Sequence, residues 1–285
     1  MSRSIVGFFA ILAAVAVLPA PALAWGDLGH RVIAGLAYER LTPAAKARVD
    51  AIVASRAVRE PGCMINTFSD AAAFPLCVKD VGKYRRYNRL HTDDIALCEP
   101  KPKPSYCKND ECASGGAKKA LAALRNPAAT PEQLELALSE AAHFIGDLHE
   151  PMNVVDNKDD NGERLRIALP GSKDKSLNLH DLWEDQLPAV AVGSEALGPR
   201  YLKPIADAHQ EEWPSGDPDS WAIETHNIAQ AFAYARLPMP AVCGKRVTNN
   251  QLIDRVYIVD ATAMVRDQLA RAAVRLAAAL NAAFS

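Results

Sequence analysis

TPEQLELALSEAAHFIGDLHEP, Thr130 to Pro151, is the stretch on which the reading of this chain turns. Thr130 is followed three residues later by Gln133, a capping-box pair, with Pro131 at the first helical position. Leu134, Leu138 and Ala142 recur at helical spacing, so the segment predicts a helix running to about Leu148. Pro151 has no backbone N–H to donate and prevents its continuation. Inside that helix His143 and Asp147 stand four apart, which puts both side chains on one face. An imidazole and a carboxylate one turn apart can chelate one cation such as zinc. Taken alone, the same spacing also describes an ordinary pair on a helix surface.

The spacing recurs. His180 and Glu184 repeat it in Asn178-Leu-His-Asp-Leu-Trp-Glu184, and His30 and His91 each lie near an acidic residue. The chain has only seven histidines, so these neighbourhoods are not scattered. Spacing by itself reaches a multi-metal hydrolase and no further.

The ends and the composition frame that site. Residues 1–24 carry Arg3, an apolar run from Ile5 to Leu18, and the ending Ala22-Leu23-Ala24. That is the pattern of a cleaved signal peptide, which predicts a mature chain starting at Trp25 and a secreted or periplasmic protein. A membrane anchor, the alternative, needs about 20 apolar residues and lacks the small-residue cleavage site. The remainder, 25–285, suits one large domain. Apolar residues make up 49% of the chain and no second long apolar run follows, which predicts a globular protein without membrane insertion. A net charge of −2 gives no overall attraction to nucleic acid, so phosphate binding has to come from local groups or bound metal. Six cysteines in an exported chain favour disulfides. Cys98, Cys107, Cys112 and Cys243 read as structural, and Cys63 and Cys77 could pair around a loop. No Cys-x-x-Cys pair exists to build a zinc ribbon, and neither Gly-x-Ser-x-Gly nor a P-loop is present.

Elsewhere helical signals dominate. Thr42-Pro43 caps a helix running to Val53, and Leu269, Ala272, Leu276 and Leu280 form a stripe near the C-terminus. Leu165–Leu169 and Ser176–Leu179 flank Pro170-Gly171 and suggest one small β-hairpin. Pro100–Pro104 and Asp156–Glu163 read as loops, the second too polar and acidic to bury. The expected fold is all-α: a single mostly helical domain with one small β-hairpin.

Three motifs together carry a family resemblance that spans Trp25 to the C-terminal helix. Trp25-Gly-Asp-Leu-Gly-His30, His143-Phe-Ile-Gly-Asp-Leu-His-Glu-Pro151 and the Asn178–Glu184 segment resemble the trinuclear-zinc nucleases of the S-one and P-one type, with the zinc phospholipases C as a sister branch. The resemblance implies three zincs. Asp70, His91, His143 and the bridging Asp147 would hold the first. The amine and carbonyl of Trp25, His30 and Asp147 would hold the second. A free amine has a pKa of ~7.7–8, so zinc must displace its proton and assembly becomes pH-sensitive.

The third site departs from the family pattern. Its positions here are Asn153, His180 and Glu184, where the nucleases use His, His and Asp. Glutamate for aspartate is mild; asparagine for histidine is not, because an amide oxygen is a poor zinc ligand. The third metal is therefore weakly held, helped by Asp156 or Asp185, or a different ion. Asn161-Gly162-Glu163 stands where the family has Gly-Gly-Asn, and Ala73 where its nucleases often carry a basic residue. Lys79, Lys83, Arg85, Arg86 and Arg89, interleaved with Tyr84 and Tyr87, offer either replacement charge with a stacking face or a solvated basic segment. The resemblance further implies bridges Cys98–Cys243 and Cys107–Cys112, with Cys63–Cys77 as an extra one. His149 reads as a supporting or structural residue, His209 and His226 as ordinary, and Trp183 as core.

The implied activity is an endonuclease cleaving single-stranded RNA and DNA to 5′-phosphorylated products, with 3′-nucleotidase activity as a possible addition. The paired zincs would lower the pKa of a shared water from ~15.7 towards ~7, and Asp94, or its neighbour Asp93, would orient it. The expected state is a monomer without a stable protein partner. Alternatives are a zinc phospholipase C, favoured slightly by Glu184, and a secreted zinc-binding protein that has lost catalysis, motivated by Asn153 and Ala73.

Overall fold

The computed structural model describes residues 24–99, 106–247 and 250–285. The expected leader up to residue 23 and the loop Pro100–Pro104 lie outside the described residues. Among those described, ten α-helices follow one another: α1 (His30–Glu39), α2 (Pro43–Ser55), α3 (Phe68–Val78), α4 (Ala113–Leu124), α5 (Pro131–Asp147), α6 (Leu179–Asp181), α7 (Leu187–Val192), α8 (Gly198–Ala208), α9 (Pro218–Ile228) and α10 (Arg255–Ala283). Local chemistry sets their starts. Thr130 Oγ1 accepts from Gln133 N while Thr130 N donates to Gln133 Oε1, so the capping box read from sequence is present. Thr42 caps α2 in the same way through Ala45 N.

The fold is the all-α domain expected, and α5 lies at its centre. It packs against α3, α4 and α10, while α10 also lies along α1, α7 and α8. The α10 stripe Leu269, Ala272, Leu276 and Leu280 is fully buried. Each such leucine is worth about 1.5–3 kcal/mol relative to exposure. Gly146 decides how closely α5 meets α1: a Cβ there would lie 2.7 Å from His30 Nδ1. Only a residue without a side chain lets those two helices bring their histidines together.

Two expectations need correction. The hairpin around Pro170-Gly171 is reduced to a single antiparallel bridge, Arg166 with Asn178. The two-residue strand β1 (Ile167–Ala168) instead pairs in parallel with β2 (Gln251–Leu252), whose segment approaches from far along the chain. The Asp156–Glu163 loop is also not excluded from the interior, since Asn157 and Asp159 are buried. Its acidity is satisfied locally: Asp159 accepts from Tyr234 Oη and Gly162 N. Asp156 Oδ1 accepts from three successive backbone amides, those of Asp159, Asp160 and Asn161. Buried carboxylates with such partners are tolerated.

Disulfides join Cys63 to Cys77, Cys98 to Cys243 and Cys107 to Cys112. Cys98–Cys243 closes a sequence separation of 145 residues. For a loop that long, cross-linking the unfolded chain is worth about 4–5 kcal/mol. A Cys98→Ala/Cys243→Ala variant should therefore melt roughly 10 °C lower, measured by calorimetry in chelator. No helix among the described residues is long and apolar enough to cross a membrane.

Candidate metal centre

The C-terminal turn of α5 carries the site. His143 and Asp147 project from one face, buried at 0% and 2% exposure. His30, first residue of α1, is brought against them across Gly146, and its ring stacks on His143 at 3.7 Å. His91 arrives from the loop after the helical turn Gly82–Arg89. Asp147 is the hub: Oδ1 lies 3.2 Å from His30 Nε2, and Oδ2 lies 3.1 Å from His91 Nδ1 and 3.4 Å from His143 Nε2. His143 Nε2 and His91 Nδ1 are 2.9 Å apart.

Proton positions sharpen that geometry. His143 Nδ1 faces the Ala72 carbonyl at 2.7 Å, which only accepts. Burial pushes the His143 imidazole well below its ordinary value, so the ring is neutral with its proton on Nδ1. Nε2 then presents a bare lone pair to His91 and Asp147. Burial also opposes charge on Asp147, but the hydrogen bonds from His30 and His91 outweigh it and hold the carboxyl well below the usual range. Converging lone pairs and a carboxylate in a dry site want a cation, and ligand atoms of His30, His143 and Asp147 all lie within 4.8 Å of one another. Buried His91 Nε2 has no partner of its own. The donor set fits a borderline-soft divalent ion such as zinc.

The remaining residues are placed unequally. Trp25 is buried, and its indole Nε1 donates to Gly146 O at 3.3 Å, one residue before Asp147. Asp70 is outside the cluster: Oδ1 pairs with Arg31 Nη1 at 2.7 Å, and Oδ2 accepts from the backbone of Asn66 and Thr67, closing the capping box of α3 from inside its first turn. Asn153 is buried, and its Nδ2 donates to Asp147 Oδ1 at 3.3 Å, leaving the amide oxygen to meet any cation. His180 Nε2 pairs with Glu184 Oε2, and His180 Nδ1 faces the Asn161 carbonyl at 2.9 Å. Burial would lower this imidazole, yet Glu184 and Glu150 push it up to about 10. A proton thus holds that pair together where a metal ion could.

Both acids considered as helpers for Asn153 can be judged. Asp156 is consumed by the loop turn described above. Asp185 shares a cavity of about 490 Å3 with His180 and Glu184, and its Oδ1 is buried without a partner. Of the adjacent pair, Asp94 is exposed. Asp93 is fully buried, accepts from Ser114 N at 3.0 Å, and is pushed up to about 6 by burial. The aromatic residues of the basic run are buried, Tyr84 and Tyr87 stacking at 5.8 Å, so that run is a solvated face rather than a stacking one. His149 is buried among Ile145 O, Arg275 Nη1 and Gln268, which accounts for it structurally. His226 bonds Ala96 O, half-buried His209 stacks on Trp213, and Trp183 is core.

Glu150 was missed by sequence reasoning. It is fully buried beside His180 and Glu184, with Oε2 accepting from Asn153 N and Oε1 unpartnered. Burial pushes it up to about 8. Its place just before Pro151 gave no sign of burial. A folded value above the unfolded ~4.3 means the folded state binds the extra proton between those pH values. Stability is therefore unaffected below that window and falls as pH rises through it. In metal-free protein, Glu150→Gln should raise the melting temperature more at pH 8 than at pH 5.

Comparison with known proteins settles the lineage, since the S1/P1 nuclease family matches residues 25–285. The chain belongs to the S1/P1 nuclease family. It is 25% identical to Endonuclease 2 of Arabidopsis thaliana over 288 residues, covering 91% of this chain and 90% of that one. Endonuclease 3 of the same plant is 24% identical over 280 residues, 93% and 90% of the two chains. Nuclease P1 of Penicillium citrinum is 27% identical over 183 residues, 61% and 62% of each. For a member of the S1/P1 nuclease family, the buried His30–His143–Asp147 group is the candidate reaction centre, and nucleic acid is the substrate class.

Proposed function

We propose that the protein is an exported, zinc-dependent endonuclease that hydrolyses single-stranded RNA and DNA to 5′-phosphorylated products, acting as a monomer. The observation that carries this reading is the convergence of buried His30 and His143 and half-buried His91 on Asp147, within a chain that the nuclease family matches from Trp25 to the end. That match begins where cleavage after Ala24 would expose an amine, and the three disulfides suit an oxidising compartment.

Asp70, His91, His143 and Asp147 would hold one zinc, and Trp25, His30 and Asp147 a second. His180, Glu184 and the Asn153 amide oxygen would hold a third ion, with Asp185 as a nearby carboxylate. Bound zinc supplies Lewis-acid stabilisation of charge at phosphorus and an acidified water. The chain's own residues do the rest. The Ala72 carbonyl fixes the His143 tautomer, and Asp147 stays ionised to orient three imidazoles. Exposed Asp94 is the acid that would align the attacking water, because it can reach solvent where Asp93 cannot.

The test is metal content of protein starting at Trp25, paired with hydrolysis of single-stranded RNA before and after chelation. Two or three zincs with chelator-sensitive cleavage support the reading, and the third zinc decides whether Asn153 suffices. Fewer than two zincs would sink it. So would zinc-loaded protein that cleaves phosphatidylcholine vesicles, or nothing, in place of RNA.

A further inference from the structure

The segment after His91 alternates: Asp93, Ile95 and Leu97 are buried, while Asp94 and Ala96 are exposed. That is the period of a half-buried extended strand, and it runs beside the Asn153–Asp156 stretch. Asp93 N donates to Asn153 O at 2.7 Å, Asp156 N to Ile95 O at 2.9 Å and Leu97 N to Asp156 O at 3.0 Å. A parallel bridge joins Ala96 to Asp156. The inward position of Asp93 calls for an apolar side chain like those of Ile95 and Leu97. A carboxylate stands there instead, 0% exposed, and its Oδ2 has no partner. A buried oxygen left unsatisfied costs stability, so its presence needs another reason.

The other oxygen, Oδ1, supplies one. Helix α4 begins with backbone amides that no helical carbonyl can take, and two of them go to this segment. Ala113 N donates to Thr92 O at 3.3 Å, and Ser114 N to Asp93 Oδ1 at 3.0 Å. The positive end of the α4 dipole favours a carboxylate at that place. Asp93 is thus held twice, by its side chain on α4 and by its backbone on Asn153. Asp93 O in turn accepts from Ile95 N at 2.7 Å, closing a three-residue turn with exposed Asp94 at its apex. Pinning one end of so short a turn fixes the direction in which the apex carboxylate leaves it.

We propose that Asp93 is a positioning residue for the hydrolysis: it anchors the His91–Asp94 segment on the start of α4 and aims Asp94 at the attacking water. This rests on the nuclease reading above, in which Asp94 aligns that water. Asp93 itself is shut off from solvent and acts only through its neighbour. Its contribution lies in the geometry of attack, so its loss falls on kcat rather than KM. Displacing a reacting group by about 1 Å is enough to cost about a hundredfold. Acceptance of the Ser114 amide by Oδ1 carries most of the effect.

The experiment measures kcat, KM, zinc content and melting temperature of zinc-loaded protein starting at Trp25, with single-stranded RNA as substrate. Asp93→Leu exchanges an unsatisfied oxygen for an unsatisfied amide, so its melting temperature should stay close to that of wild type. Its kcat should nonetheless fall about a hundredfold, with KM within about threefold and zinc content unchanged. Asp93→Ala should lose as much, which covers misfolding of the leucine variant. Asp93→Asn keeps an oxygen for Ser114 N and should recover kcat to within about fivefold of wild type, the step from a charged to a neutral acceptor. In an Asp94→Ala background, Asp93→Leu should cost almost no further activity, because the group it aims is gone. Wild-type kcat in folded Asp93→Leu or Asp93→Ala overturns the positioning role and leaves the nuclease reading standing. So does loss of zinc, an asparagine variant as impaired as the leucine one, or a full second loss in the Asp94→Ala background. Wild type that does not cleave RNA overturns the nuclease reading and the positioning role with it.

Discussion

Replacing Asp147 with asparagine is expected to lower kcat/KM on single-stranded RNA on the order of a thousandfold, with loss of bound zinc. One carboxylate contacts three imidazoles from three parts of the chain, so no neighbour can take over its role. Asparagine keeps the shape but removes the charge and one acceptor. In metal-free protein the substitution should also cost about 1.5–3 kcal/mol, the worth of hydrogen bonds to a charged group. Activity within tenfold of wild type and unchanged zinc content would place the reaction centre elsewhere.

The second large effect is expected at the N-terminus. Protein that keeps two extra residues before Trp25 should lose one zinc per chain and about a hundredfold in activity, because a peptide nitrogen cannot replace an amine as ligand. The Trp25 indole should stay anchored to Gly146 O in either form, so the fold should survive and melting temperatures measured in chelator should agree. Correctly processed protein should also lose zinc as pH falls below the amine's ~7.7–8, since protons compete for the same lone pair. The extended chain should lack that limb of the titration. Equal zinc content and equal activity for both forms would remove Trp25 from the metal site.

How far the sequence led can be seen at particular residues. The α5 helix was legible because its cap, its apolar period and its stop are all local, and His143 and Asp147 followed from the helical period alone. Local signals also marked α2 and the buried stripe of α10. The Ile167–Ala168 pairing with Gln251–Leu252 was not legible, since nothing near either segment encodes a partner more than eighty residues away. Burial of Asp159 escaped for a related reason: its acidity argued for solvent, and the Tyr234 hydroxyl that satisfies it comes from another part of the fold. At the site, the resemblance already set His30 and Asp147 on one metal, and geometry added how they meet, across Gly146. Glu150 was invisible because a glutamate before a proline looks the same buried or exposed.

Asp70 serves two structural roles at once, as the third-residue half of the capping box that Thr67 opens on α3 and as the partner of Arg31. An ion that recruits this carboxylate must therefore compete with a guanidinium and with the first turn of a helix. Occupancy of the metal centre and order at the α3 N-terminus become linked variables, each able to report the other. Amide exchange at Asn66 and Thr67 would then serve as a gauge of metal loading, readable without substrate.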